Sequence, residues 1–315
     1  MESPLLAAYI SHTDCLKHEM GADHPECPER LGAIRDQLLI TGLLDHMQCH
    51  EAPLASEQQL EQAHSPLFVH DVAAHRPESG YVQVDPDTRM NPFTFQAARR
   101  ASGAAVLATD LVLQGDARVA FCNVRPPGHH AGRASAGGFC FFNNVVVGIR
   151  HALNVHGLKR IALIDFDVHH GNGTQAAFKD EPRVLMASFF QHPFYPYSGV
   201  ESDASAHVKN VYLPVPAYSD GRVVRQLITE HWLPALHAHA PEMIFISAGF
   251  DAHREDDMGQ MRLVEDDYAW ITEQIMHIAQ RYSQGRIVSC LEGGYNLSAL
   301  SRSVVAHLKV LAGLD

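Results

Sequence analysis

Short aliphatic and β-branched runs alternate along this chain with longer stretches in which apolar residues recur at helical spacing. Arg118–Val124, Arg160–Asp167, Arg183–Phe189, Glu242–Ser247 and Arg286–Leu291 have the length and nearly continuous apolar character of strands covered on both faces. Between them, Asn143–Val155, Gly221–His239 and Asp266–Ser283 show the intervals of helices with one buried side. Upstream, Asn91-Pro92 predicts a helix with Asn as its cap and Pro in the first turn, continuing through an Ala-rich stretch to Leu113. This alternation predicts βαβ units, and hence an α/β fold with a parallel sheet flanked by helices. No linker, repeat, low-complexity stretch or charge block divides the 315 residues, so one domain over residues 1–315 is expected.

Polar residues cluster where those strands end. Arg125-Pro-Pro-Gly-His-His130, Asp165–His170, Ser188–Gln191, Ser247-Ala-Gly-Phe-Asp251 and Glu292-Gly-Gly-Tyr295 each follow a predicted strand. In a parallel sheet, ligands bind in the crevice beyond the carboxyl ends of the strands, so these clusters predict a site at that edge. Within it, Asp167, His169 and Asp251 offer two oxygens and one nitrogen. Three such ligands suit a catalytic zinc and leave one coordination position open. A period of two along the strand would put Asp165, Asp167 and His169 on one face. Singly, each ligand also has an ordinary structural reading: Asp167 could bind strand-end backbone, His169 could be a bonded core histidine, and Asp251 could cap the next turn. An oxygen-rich set of this kind also suits Fe2+, Mn2+ or Co2+.

His129 and His130 follow the stiff pair Pro126-Pro127 and the permissive Gly128, which lets the backbone present adjacent imidazoles to the crevice floor. Adjacent histidines suit proton transfer. Each needs an acceptor to fix its tautomer, and Asp165 and Asn172, which flank the metal segment, are the candidates. After Glu292, two glycines let the chain turn and aim the Tyr295 phenol at the crevice, where its O–H could stabilise an oxyanion. The structural alternatives are a partly exposed loop His pair and an aromatic residue after an ordinary turn.

Composition narrows the class. Hydrophobic content of 46% and charged content of 19% are those of an ordinary globular protein. No apolar run approaches the roughly 18 residues of a membrane span. The start, Met1-Glu-Ser-Pro, lacks a basic leader region, so a cytoplasmic protein is expected and no membrane partner. A net charge of −12 argues against phosphate-tracking nucleic-acid binding and favours basic peptides or polyamines as partners. The six cysteines (Cys15, Cys27, Cys49, Cys122, Cys140, Cys290) form no Cys-x-x-Cys pair and read as free thiols, several of them buried.

Six segments carry a resemblance: His24-Pro-Glu-Cys-Pro-Glu-Arg-Leu31, Arg125–His130, Gly137-Gly-Phe-Cys-Phe-Phe-Asn-Asn144, Asp165–Thr174, Ser247–Asp251 and Leu291–Asn296. Together they resemble the zinc-dependent histone deacetylase family, including its bacterial amidohydrolase, acetylpolyamine amidohydrolase and acetoin-utilisation relatives. The resemblance implies an arginase-like single domain with a central, mostly parallel sheet of about eight strands. It implies hydrolysis of an amide on a protonatable amine, releasing acetate. Residue by residue, it makes Asp167, His169 and Asp251 zinc ligands, Tyr295 the oxyanion donor, His130 the general base and acid, and His129 its electrostatic partner. Asp165 resembles the acceptor that orients His129, and Asn172 the partner of His130, with Asn there in the class II pattern. An uncharged partner favours the His130 imidazolium less than Asp would, which suits a group that must first accept a proton.

Asp165, Asp167, His169, Ser188 and Phe189 match the segment that holds a structural monovalent cation, K+ or Na+. Gly138, Phe139 and Tyr195 resemble the walls of the tunnel for an acyl-lysine stem, with Gly294 beside Tyr295 at the same site. Arg30 matches a position near an inner cavity for departing acetate, and Asp87 falls near where relatives grip the substrate backbone. Met258 occupies a gatekeeper position where polyamine-selective relatives carry Glu. An apolar residue there favours the lysine stem and removes a carboxylate that would attract a second ammonium. The expected substrate is therefore acetyl-lysine, or a short acyl-lysine, in a peptide or protein, with a small acetylated amine such as an acetylpolyamine as the alternative enzyme reading. A catalytically idle binder of acyl-lysine is disfavoured by the intact Tyr295 and His pair. A two-metal manganese ureohydrolase would need further bridging aspartates that this segment lacks. The sequence leaves the oligomeric state open.

Overall fold

The computed structural model describes residues 7–200 and 210–314. The N-terminal four residues, read above for the lack of a basic leader, lie outside the described residues. The strands are β1 (Ala7–Ser11), β2 (Met47–Glu51), the short β3 (Val82–Gln83) and β4 (Arg89–Met90), β5 (Val119–Cys122), β6 (Ile161–Asp165), β7 (Val184–Gln191), β8 (Val211–Val215), β9 (Met243–Ala248) and β10 (Ile287–Leu291). β3 and β4 pair as a small antiparallel ribbon. The other eight form one parallel sheet in the order β2-β1-β5-β10-β9-β6-β7-β8. β5, β6, β9 and β10 are buried at every residue. Only a strand covered on both faces can tolerate their unbroken apolar sequence, and this is why it gave no alternation.

All five predicted strands form, each within three residues of its expected ends. The other three strands of the parallel sheet carried no clear signal. β1 is a short Ala-Ala-Tyr-Ile-Ser run; β2 and β8 are edge strands, half exposed and partly polar, and β8 contains Pro214, which an edge tolerates. The helices are α1 (Glu29–Ile40), α2 (Glu57–Glu61), α3 (Pro66–Ala74), α4 (Thr94–Gln114), α5 (Asn144–Asn154), α6 (Asn172–Phe178), α7 (Gly221–Leu227), α8 (Leu233–His239), α9 (Glu265–Tyr282) and α10 (Leu297–Leu311).

Two helix expectations are corrected. Asn91 does not cap α4, which begins at Thr94; its carboxamide oxygen instead accepts from the Phe93 N–H at 3.0 Å and the Thr94 hydroxyl at 3.1 Å. The helix expected over Gly221–His239 is interrupted by a π turn at Ile228–Trp232, where the Leu233 N–H bonds to the Ile228 carbonyl. Pro234, at the start of α8, has no N–H for the regular ladder, and the helix widens by one residue just before it.

Candidate active site

The polar clusters converge at the carboxyl ends of β5, β6, β7, β9 and β10, which are neighbours in the sheet. The metal segment needs one correction: β6 ends at Asp165, so the strand period does not carry Asp167 and His169. A loop does so instead, held by successive carboxylates that accept from the N–H two residues on. Asp165 Oδ1 accepts from Asp167 N at 3.1 Å, and Asp167 Oδ1 from His169 N at 2.8 Å. Asp251, beyond β9, accepts from Val168 N at 2.9 Å, and Gly293, beyond β10, donates to Asp167 Oδ2 at 2.8 Å. Three strand ends are thereby tied around one point.

There His169 Nδ1 lies 3.1 Å from Asp167 Oδ1 and 3.2 Å from Asp251 Oδ2, and the ligand atoms of all three residues lie within 4.8 Å of one another. The carboxylates are fully buried. Burial, then the Asp167 charge, pushes Asp251 up to about 7. Burial opposes charge on His169, but its bonds to the two carboxylates push it up to about 10. A proton held between two buried carboxylates stands where a divalent cation would stand, and the oxygen and nitrogen donors fit such an ion. Gly293 is required by space: a Cβ there would collide with both carboxylates.

His129 and His130 lie beside this centre with ring centroids 4.0 Å apart and ring planes tilted by 46°. His129 Nδ1 is 3.1 Å from Asp165 Oδ2, and His130 Nδ1 is 2.8 Å from Asn172 Oδ1. Burial disfavours charge on His129, yet Asp167, Asp165 and Glu292 outweigh it and raise its pKa well above the ordinary value. Burial, with the neighbouring His129 and His169, drives His130 well below it. The surroundings thus favour the charged form of His129 and the neutral form of His130. Glu292, quoted above only as part of its cluster, accepts from Gly128 N at 2.7 Å and His129 N at 3.1 Å and so fixes the loop bearing the pair. Gly128 has no positive φ; it is needed because a Cβ would meet the Asn144 N and the Phe142 carbonyl.

Tyr295 turns into a cleft of about 260 Å3 that also contains His130, His169, Gly138, Phe139, Tyr195 and Met258. The turn runs through Gly294 at φ 117°, a conformation glycine adopts without strain. Asp256, which the sequence reading passed over, accepts from Tyr295 N at 2.6 Å and Asn296 N at 2.9 Å. Phe139 meets the Tyr295 ring edge to face at 5.9 Å, and Tyr195 meets His130 likewise at 5.1 Å. Gly138 lets them close in, since a Cβ would lie 2.6 Å from His130 Cδ2 and 2.8 Å from the Tyr195 hydroxyl. Phe194, also missed, stacks on His169 at 5.4 Å and 19°.

Asp87 and the unanticipated Asp257 complete the cleft. Asp85 holds the Gly138 N–H at 3.2 Å. Arg30 is fully buried: its Nε donates to the Gly294 carbonyl at 2.6 Å, its Nη1 to Glu26 at 3.0 Å, and its guanidinium lies 4.9 Å from the Tyr295 ring centroid. Glu26 also pairs with Arg125, so the inner side of the site is a buried ion cluster. Ser188 faces Asp165 across the β6–β7 register, and its hydroxyl is buried with no partner among the described residues. Phe189, next in β7, packs on Trp232 at 5.7 Å.

Residues 24–311 match the family described as "Histone deacetylase domain". The histone deacetylase-like amidohydrolase of Pseudomonas aeruginosa is 34% identical over 93% of this chain and 78% of its own. The mouse polyamine deacetylase HDAC10 is 37% identical over 97% of this chain, which spans about half of that protein (48%). The crystal structure of the HDA15 HD domain superposes with a TM-score of 0.92 at 32% identity, covering 98% of this chain and 89% of that one. Whole-length sequence and structural likeness thus agree with the convergent site: the chain belongs to the histone deacetylase family and is a hydrolytic deacetylase.

Proposed function

We propose that this enzyme removes acetyl, or a short acyl group, from lysine side chains in peptides or proteins. The observation that carries this reading is the pairing of His130 with Tyr295 across a narrow, mostly aromatic cleft that reaches the Asp167–His169–Asp251 cluster through His169, with burial favouring the neutral form of His130. Zinc held by those three residues would polarise the acyl carbonyl and acidify an attacking water; Fe2+, Mn2+ or Co2+ would suit the same donors. Asn172 Oδ1 can only accept, so His130 carries its proton on Nδ1 and leaves Nε2 free to take one from the water. Tyr295 donates its O–H to the oxygen that becomes negative, and His130 then returns the proton to the departing amine. His129, held by Asp165, supplies positive charge beside the reacting group. Arg30 would lie beside the inward path for departing acetate.

The partnerless Ser188 hydroxyl beside Asp165 supports a K+ or Na+ site built from Asp165, Asp167, His169, Ser188 and Phe189, with the backbone supplying Phe189's oxygen. Six cysteines outside any disulfide suit a reducing compartment such as the cytoplasm, and no helix among the described residues is long and apolar enough to cross a membrane. Gly138, Phe139, Tyr195 and Met258 would enclose the alkyl stem, and Asp87 at the rim would accept from substrate backbone. Asp257, beside Met258, favours the second reading, since it could pair with the distal ammonium of an acetylpolyamine. Turnover of an acetyl-lysine peptide and an acetylated polyamine by the zinc-loaded protein, with Tyr295→Phe as control, separates the two. The peptide is the expected substrate, and the control should lose roughly 10²- to 10³-fold in kcat. Turnover of the polyamine alone would overturn the lysine assignment.

A further inference from the structure

A second convergence of metal-ligating side chains lies outside the catalytic cleft. Asp110 sits toward the C-terminal end of α4, His151 in the last turn of α5, and His156 just past that helix, on the way to β6. α4 and α5 each return the chain to the beginning of a sheet strand, whereas the catalytic residues follow strand ends. The cluster is therefore at the opposite end of the sheet. Asp110 Oδ1 lies 2.7 Å from Nε2 of both His151 and His156, and the two rings stand edge to face, 5.2 Å apart. The three ligand atoms lie within 4.8 Å of one another, a closeness matched among the described residues by the catalytic set.

We propose that Asp110, His151 and His156 form a second cation site, for a borderline first-row divalent ion such as zinc or nickel. Two imidazoles and one carboxylate are the donors such ions prefer. With metal–ligand bonds of about 2.0–2.1 Å, tetrahedral geometry separates ligand atoms by roughly 3.3 Å, so each present contact need widen by only about 0.6 Å. The side chains can make that adjustment: His156 is 23% exposed and Asp110 33%, while His151, 10% exposed, is the fixed member. His151 Nδ1 is buried without a hydrogen-bond partner among the described residues, so the Nε2 contact is what orients the ring. The exposed side of the cluster leaves the remaining coordination positions to water. A cation there would join α4 to the end of α5 without touching the reacting atoms.

The competing use of the same atoms is a pair of hydrogen bonds that fasten α5 to α4. That role needs only an acceptor at position 110, and Asn would supply it. Charge separates the two, because Asp110→Asn keeps the acceptor and the shape but removes the anionic ligand. Calorimetric titration of the metal-stripped full-length protein with zinc should show one equivalent more in the wild type than in Asp110→Asn or in His156→Ala. Both variants should keep acetyl-lysine peptide turnover, and the wild type's thermal midpoint should rise further with zinc than theirs. Anomalous scattering from a zinc-soaked crystal should place an ion between the three side chains. The difference of one equivalent does not depend on how many ions the catalytic cluster holds, so failure of that assignment would leave this test intact. Equal stoichiometry in wild type and Asp110→Asn, with both folded, would overturn the proposal.

Discussion

Asn172 is one atom away from being an aspartate, and that change would set a negative charge against His130. An anionic partner would stabilise the imidazolium and raise the His130 pKa, typically by a unit or more for a contact this close. The base is active only when neutral. In Asn172→Asp the acid limb of the kcat/KM–pH profile should therefore move to higher pH by roughly one unit or more, with activity lost where the wild type still works. An unmoved acid limb, measured across pH 5 to 9, would mean that a different group governs it. At this scale the sequence was legible where side chains come in motifs: His130, His169 and Tyr295 line one cleft, with Asp167 and Asp251 against His169 and His129 against His130. It was silent on residues that act on backbone. Glu292 and Asp256 fix the His129 and Tyr295 turns by accepting N–H bonds, a role that any carboxylate in a loop could play and that no spacing reveals.

Elements were legible where burial is complete and obscure where it is partial. The central strands declared themselves as apolar runs, whereas β2 and β8 did not, because an edge strand needs only one good neighbour and one covered face. α4 gives a test of how tightly the layers are packed. Gly103 lies in mid-helix, where Ala would ordinarily gain about 1 kcal/mol from propensity. Here a Cβ would run into the Pro53 carbonyl and come within 2.8 Å of the Ala55 N, both backbone atoms that cannot rotate away. Overpacking of that kind costs about 1–3 kcal/mol, so the clash wins and Gly103→Ala should destabilise the protein. Urea unfolding would register this as a lower midpoint at unchanged slope. A rise in the midpoint would show that the 53–55 segment gives way more easily than its contacts with α4 suggest.

For the molecule as a whole, acid stability depends on histidines that fold neutral. His307 is fully buried, its Nδ1 2.7 Å from the Thr272 hydroxyl and its Nε2 3.0 Å from that of Ser289; burial pushes it down to about 3. Burial likewise takes His64 down to about 4, between the Gly132 carbonyl at 2.8 Å and the Asn143 N–H at 2.9 Å. Below pH 6.5 the unfolded chain protonates these groups and the folded one does not, so their contribution is intact above that pH and declines as it falls toward 4. Each should tilt stability by about 1.4 kcal/mol per pH unit across that window. Glu292 and Asp251, both raised to about 7 by burial, bind protons in the folded state and tilt it the other way, so the wild-type curve alone mixes opposite signs. A comparison with His307→Asn removes that ambiguity. Between pH 6.5 and 4 the difference in unfolding free energy, wild type minus variant, should shrink by about 1.4 kcal/mol per unit as pH falls, and level off above 7. A difference that stayed constant with pH would mean that His307 is protonated in the fold, and that the Thr272 and Ser289 hydroxyls satisfy an imidazolium rather than a neutral ring.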